Sequence, residues 1–255
     1  LLIKLIKYEL YDLLKSRWML GMTVFYGLLV YSLVKFGGNT RKAVVSYTNL
    51  SLLTLPLFSL LLSINYLYTN RNFIEFVLTQ PVKRSFLFAS LIISLSFSIF
   101  ISYAVGSGFV FYYLEGFYPP FAKTLSLTTS LIPLFVSLGI LSGLLVEDRL
   151  KGIGLVLLLW LFFSAMYDGI VLYIILAFSN YPIEKLVLFL TLSNPVDFIR
   201  LSSLMEAGLY EVMGFVGTWA KKYLKDLWFL PIPLSFLYTA VIFMLGLIAF
   251  KRKDF

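Results

Sequence analysis

Long apolar runs alternate with short polar and charged segments along the whole chain of 255 residues. Six of these runs, at 18–34, 50–68, 86–114, 125–146, 153–178 and 229–250, are near or above the length that a helix needs to cross a hydrocarbon core of ~30 Å. They are too long and too continuously apolar for barrel strands, which alternate in polarity over about 10 residues. Lipid offers the backbone no hydrogen-bond partners, so helices are expected. The pattern predicts an all-α, polytopic membrane protein with six transmembrane helices in a single transmembrane domain over 1–255.

Three segments break the rhythm. Residues 1–16 place Leu2, Leu5, Ile6, Leu10, Leu13 and Leu14 on one broad face, with Lys4, Lys7, Glu9, Asp12 and Lys15 over much of the rest. This periodicity predicts a helix lying in the membrane interface or capping a partner. Charges spread through it leave no room for a signal-peptide core, so none is expected. Residues 69–85 form a charged connection. Residues 179–230 hold an apolar stretch at 186–192 that is too short to span, since at 1.5 Å per residue it covers only ~10 Å. A re-entrant or external helical segment is expected there. Within it, Asn194-Pro195-Val196-Asp197 reads as a helix start, with Asn194 as cap, Pro195 in the first turn and Asp197 third. A second amphipathic piece is expected at 209–227, carrying Lys221, Lys222 and Lys225.

The connection at 71–84 is the most informative for function. A short helix from Arg71 to Thr79 would present Phe73, Ile74, Phe76 and Val77 near water, beside Glu75, with Pro81 ending it and Lys83-Arg84 at the lipid heads. Such a helix suits docking into a partner's groove, or it rests its aromatics in lipid.

Charge settles orientation. Twelve Lys and Arg fall on the side of the termini, against four in the short loops of the other side, or nine with the long segment included. Both termini are therefore expected in the cytoplasm. Only 13% of residues are charged and the mean hydropathy is +0.91, against roughly 25% charged in a soluble domain. The net charge of +8 suits anionic lipid; no basic, aromatic-interleaved soluble face suggests nucleic acid. With no Cys and no His, disulfides, zinc sites and imidazole catalysis are excluded. No GxxxxGK[ST] occurs, so no ATP site of P-loop type is expected. The methionines are scattered, which disfavours a copper path. Asp168, near the outer end of the fifth run, either lines a pathway or serves the helix end. Gly139 and Gly143 form a GxxxG pattern that suits close packing within one subunit.

Three stretches carry a resemblance. Residues 75–84, Glu-Phe-Val-Leu-Thr-Gln-Pro-Val-Lys-Arg, resemble the segment after the second helix of ABC-2 type permeases, where a Glu, two apolar residues and a small one precede Pro-Val and a base. The tail Phe250-Lys251-Arg252-Lys253-Asp254-Phe255 is similar to that family's ending. The chain departs from the family's pattern at Phe73-Ile74, where Gly-Thr is common, and at Ala89-Ser90, where Gly-Lys is. Residues 192–201 and Asp168 resemble the NosY-type branch, the permeases of nitrous-oxide-reductase maturation.

The resemblance implies a type V exporter-like fold and a permease subunit that is not itself an enzyme. It implies partnership with a cytoplasmic ABC ATPase dimer, which would hold ATP and Mg, and with a second copy of the permease as a homodimer. It implies ATPase coupling through Phe73, Ile74, Glu75, Phe76, Leu78 and Pro81, with a second cytoplasmic loop at Glu147, Asp148 and Arg149. For the NosY-type branch it implies a small, sulfur-containing cargo for copper-enzyme maturation and a periplasmic accessory protein meeting Asn194, Pro195, Asp197 and Arg200, in the inner membrane. The alternatives are an ABC-2 exporter of lipid, drug or polysaccharide, and a secondary transporter, which would need more ionisable groups at mid-membrane than Asp168.

Overall fold

The computed structural model describes residues 2–178, 184–206, 208 and 229–253, and among these the regular structure is helical throughout. Among the described residues six helices are long and apolar enough to cross a membrane: α2 (Arg17–Phe36), α3 (Thr40–Thr69), α5 (Arg84–Glu115), α6 (Pro119–Leu145), α7 (Arg149–Ala177) and α10 (Pro231–Arg252). Between them stand α1 (Leu2–Lys15), α4 (Arg71–Leu78), α8 (Glu184–Ser193) and α9 (Pro195–Glu206). The chain is thus an all-α, multi-pass membrane protein. The amphipathic piece expected at 209–227 and the last two residues of the tail lie outside the described residues.

Local chemistry moves several helix ends from where hydropathy puts them. Helix α3 begins ten residues before the apolar run, because Asn39 caps Arg41 N at 2.8 Å and the polar turns behind it bury Ala43, Val44, Tyr47 and Thr48. The turn before it needs the left-handed φ of +68° at Gly38. Pro119 and Pro120, between the third and fourth apolar runs, open α6, where a missing N–H costs nothing. Residues 149–152 lie between the fourth and fifth apolar runs. They are helical, because the Asp148 carboxylate accepts from Leu150 N at 2.8 Å and Lys151 N at 3.0 Å.

The core sits between α3, α5 and α6. Helix α6 is enclosed on nearly all sides, whereas α7 and α10 bury little of their surface. Small residues set the close approaches. A Cβ at Gly139 would overlap Ser63 Oγ and lie 2.8 Å from Leu60 O, and one at Gly143 would lie 2.8 Å from Leu67 Cδ2. The GxxxG pattern therefore packs α6 on α3 within the chain, as its sequence suggests. On α5, Ser90, Ser94, Ser98 and Ser102 recur every fourth residue and are all buried. A π turn at Val105–Phe109 follows, and its Gly106 lies directly against the backbone of Thr23. Pro56 removes a hydrogen bond from α3. Elsewhere on the same turn, Leu53 O accepts from Trp160 Nε1 of α7 at 2.8 Å.

Candidate functional site

Both termini of the described chain and two loops share one end of the bundle. Arg84 Nη1 donates to Lys251 O at 2.9 Å and Lys253 O at 3.0 Å, satisfying carbonyls at the end of α10. Lys253 Nζ donates to Leu144 O at 2.8 Å, 3.9 Å from Glu147. Burial holds that ammonium below the usual lysine range. Tyr68 donates to Val146 O at 2.6 Å, and Arg149 to Asn65 Oδ1 at 3.0 Å. This is the basic end. At the other end Thr40 donates to Glu115 at 2.7 Å, and Lys123 pairs with Glu206 at 2.8 Å.

At the basic end α4 follows α3 after a single residue, Asn70. Its exposures differ from the sequence expectation. Ile74 is fully buried and Val77 nearly so, because a helix of 8 residues this close to the bundle must turn one face inward. Leu78 also packs on the core. Phe73 is half-buried and stacks on Tyr8 of α1, with ring centres 5.9 Å apart. Only Phe76, 63% exposed, is held fully in the open. Glu75 lies beside it, paired along the helix with Arg71 at 3.1 Å, and Pro81 is exposed beyond the helix end. Ile74, expected at a partner's surface, is an anchor within this chain. Asp148 likewise spends its carboxylate on the cap of α7, which leaves Glu147 and Arg149 as the outward charges of that loop.

A second polar site lies deep among α7, α8, α9 and α10. The chain breaks between α8 and α9 at Asn194, which is wholly buried. Its Oδ1 accepts from Val196 N at 3.1 Å, the cap expected from sequence. Its Nδ2 donates to Asp197 Oδ2 at 2.8 Å and to Phe163 O at 2.9 Å. Phe163 stands in a π turn of α7, Phe162–Met166. Tyr238 of α10 donates to Leu192 O at 3.4 Å, and Tyr167 to Leu190 O at 2.7 Å. These contacts fall well inside the lengths of α7 and α10, so the break enters the bundle and α9 leaves it toward Lys123. Arg200 binds Asp197 at 3.2 Å, the one-turn pairing that the spacing suggests, and also binds Asp168. Burial, then the neighbouring Asp168, pushes the Asp197 carboxyl above its ordinary range.

Asn194, Pro195 and Asp197 were expected to meet an external partner. They are buried: Asn194 bonds backbone at the break, and Asp197 accepts from the side chains of Asn194 and Arg200. Arg200 and Asp168 keep part of their surface open, at 22% and 44%.

This chain is similar to a permease. The probable ABC transporter permease protein NosY of Pseudomonas aeruginosa is 23% identical to it over 216 residues, spanning 77% of this chain and 78% of that protein. No family model matches. The likeness expected from residues 75–84 and 192–201 is therefore met across most of the chain.

Sequence reasoning missed Glu9. Counted among the polar face of α1, it is 1% exposed and faces α5, where Ser94 donates to it at 2.8 Å and Ser90 at 3.2 Å. Burial raises its carboxyl to about 7. The signal was present in the four-residue serine repeat of α5, which supplies hydroxyls to whatever packs there.

Proposed function

We propose that this chain is the membrane-spanning permease subunit of an ATP-driven ABC transporter, with its basic end in the cytoplasm of a cell with an inner membrane. The observation that carries the reading is the similarity to the NosY permease over three quarters of both chains. A separate ATPase dimer hydrolyses ATP, since no phosphate-binding loop occurs here. Helix α4 suits the coupling role: Ile74 and Val77 fasten it to the bundle, while Phe76 and Glu75 are offered to the ATPase. Two copies of the chain serve the two ATPases. The cargo is a small sulfur-containing species exported for copper-enzyme maturation, a reading supported by the resemblance of 192–201 to the NosY-type branch. The half-open Asp168–Arg200 pair is the part of the break left to meet a periplasmic partner.

The test is reconstitution with a candidate ABC ATPase from the same cell. ATP hydrolysis and cargo release should require both proteins, and the isolated chain should hydrolyse no ATP. Cargo movement by the chain alone, unaffected by ATP, would overturn the assignment.

A further inference from the structure

A cavity of about 670 Å³ opens at the basic end between α1, α2, α3 and the first turn of α7. That volume lies in the range of ~300–1,000 Å³ typical of small-molecule sites. Its polarity is graded along the bundle axis. On α3, Phe58 lines the inner part, Leu61 and Leu62 follow one turn on, and Asn65 lies about two turns from Phe58, nearer the basic end. Lys15 and Arg149 stand at that outer level, each next to a membrane helix end.

The outer part favours an anion. Arg149 is oriented by its 3.0 Å hydrogen bond to Asn65 Oδ1. Lys15 stands 4.0 Å from the Tyr11 ring centre. Among the described residues neither cation forms an ion pair, and Asp12 is the one carboxylate in the lining. The inner part favours hydrocarbon. Phe58 meets Phe25 edge-on at 5.4 Å, and Phe25 and Leu53 remain 38% and 40% exposed beyond it. Trp18, 73% exposed, lines the cavity beside the start of α2, where an indole suits the lipid–water boundary.

We infer that this cavity binds one anionic phospholipid from the leaflet at the basic end. Its phosphate lies against Arg149 and Lys15, and its chains run along Phe58 and Leu62 toward Phe25 and Leu53. A zwitterionic lipid would bring a headgroup cation of its own beside Lys15 and Arg149, and a soluble anion would leave the apolar wall wet. Basic pockets between membrane helices suit such headgroups. The bound lipid fastens α1 to α3, which share few direct contacts there. The inference goes beyond the transport reading and does not depend on it.

The test uses the full chain alone, in mixed micelles containing equal phosphatidylglycerol and phosphatidylcholine, with native mass spectrometry counting retained lipid. One phosphatidylglycerol should be retained in preference to phosphatidylcholine. Arg149→Gln with Lys15→Gln should weaken that retention about tenfold, the loss of a charge-assisted contact. Arg149→Lys should keep most of it, and Arg41→Gln with Lys42→Gln, an equal charge change at the opposite end, should leave it intact. Equal retention of the two lipids, or a preference that survives Arg149→Gln with Lys15→Gln, overturns the inference. So does retention of soluble glycerol 3-phosphate as tight as that of the lipid, which would mark a site for the free anion.

Discussion

The side-chain amide of Asn194 donates to the carbonyl of Phe163, 2.9 Å away and inside the π turn of α7. One residue thus joins the deepest point of a broken helix to an irregular turn in a neighbouring span. Neither irregularity can satisfy its backbone with water at that depth, so each supplies the other. Asn194→Leu should lower stability by about 1–3 kcal/mol, the effect of leaving buried polar groups unpaired. Thermal unfolding in detergent would register it. Asn194→Asp should be worse, since it sets a second carboxylate against Asp197. A wild-type midpoint for Asn194→Leu would remove the amide from the structural account.

The pH response of α1 follows from Glu9. Its carboxyl rises from 4.5 to about 7 on packing against α5, chiefly through burial, with Ser94 and Ser90 opposing. The packed helix therefore holds a proton that the free helix releases. Packing is fully favoured below pH 4.5, weakens as pH rises toward about 7, and changes little above it. A cysteine at the buried position of Leu13 should become more reactive across that window, measured as the ratio to the same cysteine in Glu9→Gln. A flat ratio would mean that Glu9 does not titrate in this range.

Gly139 tests the packing of α6 on α3. A Cβ there meets Ser63 Oγ and Leu60 O. Gly139→Ala should destabilise by about 1–3 kcal/mol through overpacking. Adding Ser63→Ala should recover only part, because the Leu60 carbonyl remains. Gly154→Ala, with nothing within 4 Å, should be silent. Unfolding midpoints of the three variants separate these outcomes.

Residues within one turn of α4 should divide by role. Phe76→Ala should weaken association with the ATPase at least tenfold, the usual consequence of losing an aromatic anchor worth ~2 kcal/mol, while leaving stability unchanged. Ile74→Ala should do the reverse in the isolated chain, lowering its stability by about 2–5 kcal/mol. Co-purification and thermal unfolding measure the two effects. Equal behaviour of both variants in both assays would show that α4 has no separate docking face.

Orientation is accessible because the chain has no native cysteine. Phe117, 77% exposed at the end opposite α4, should react as Phe117→Cys with an impermeant reagent applied to intact cells, and Phe76→Cys only after lysis. Ser202 and Ser203 are buried and would be poor reporters. The opposite labelling would invert the bundle.

Hydropathy alone decided that this chain crosses a membrane six times as helices, because the cost of unpaired backbone in lipid admits few other solutions. Local chemistry in the sequence also placed the cap at Asn194, the Asp197–Arg200 pairing and the close contact at Gly139, all of which depend on neighbours within a turn or on the absence of a side chain. Burial could not be read in the same way. Glu9 was placed on the polar face of α1, and Ile74 on the exposed face of α4, because a helical wheel gives the angle between residues and says nothing of which neighbour arrives on each side. The tertiary structure decided that α5 meets Glu9 with two serines, that Ile74 turns into the bundle while Phe76 stays out, and that Arg200 joins Asp197 to Asp168 across two helices. Each of these rests on residues far apart in the chain, brought together by the packing of α3, α5 and α6 and by a helix break that satisfies its polar groups inside the bundle.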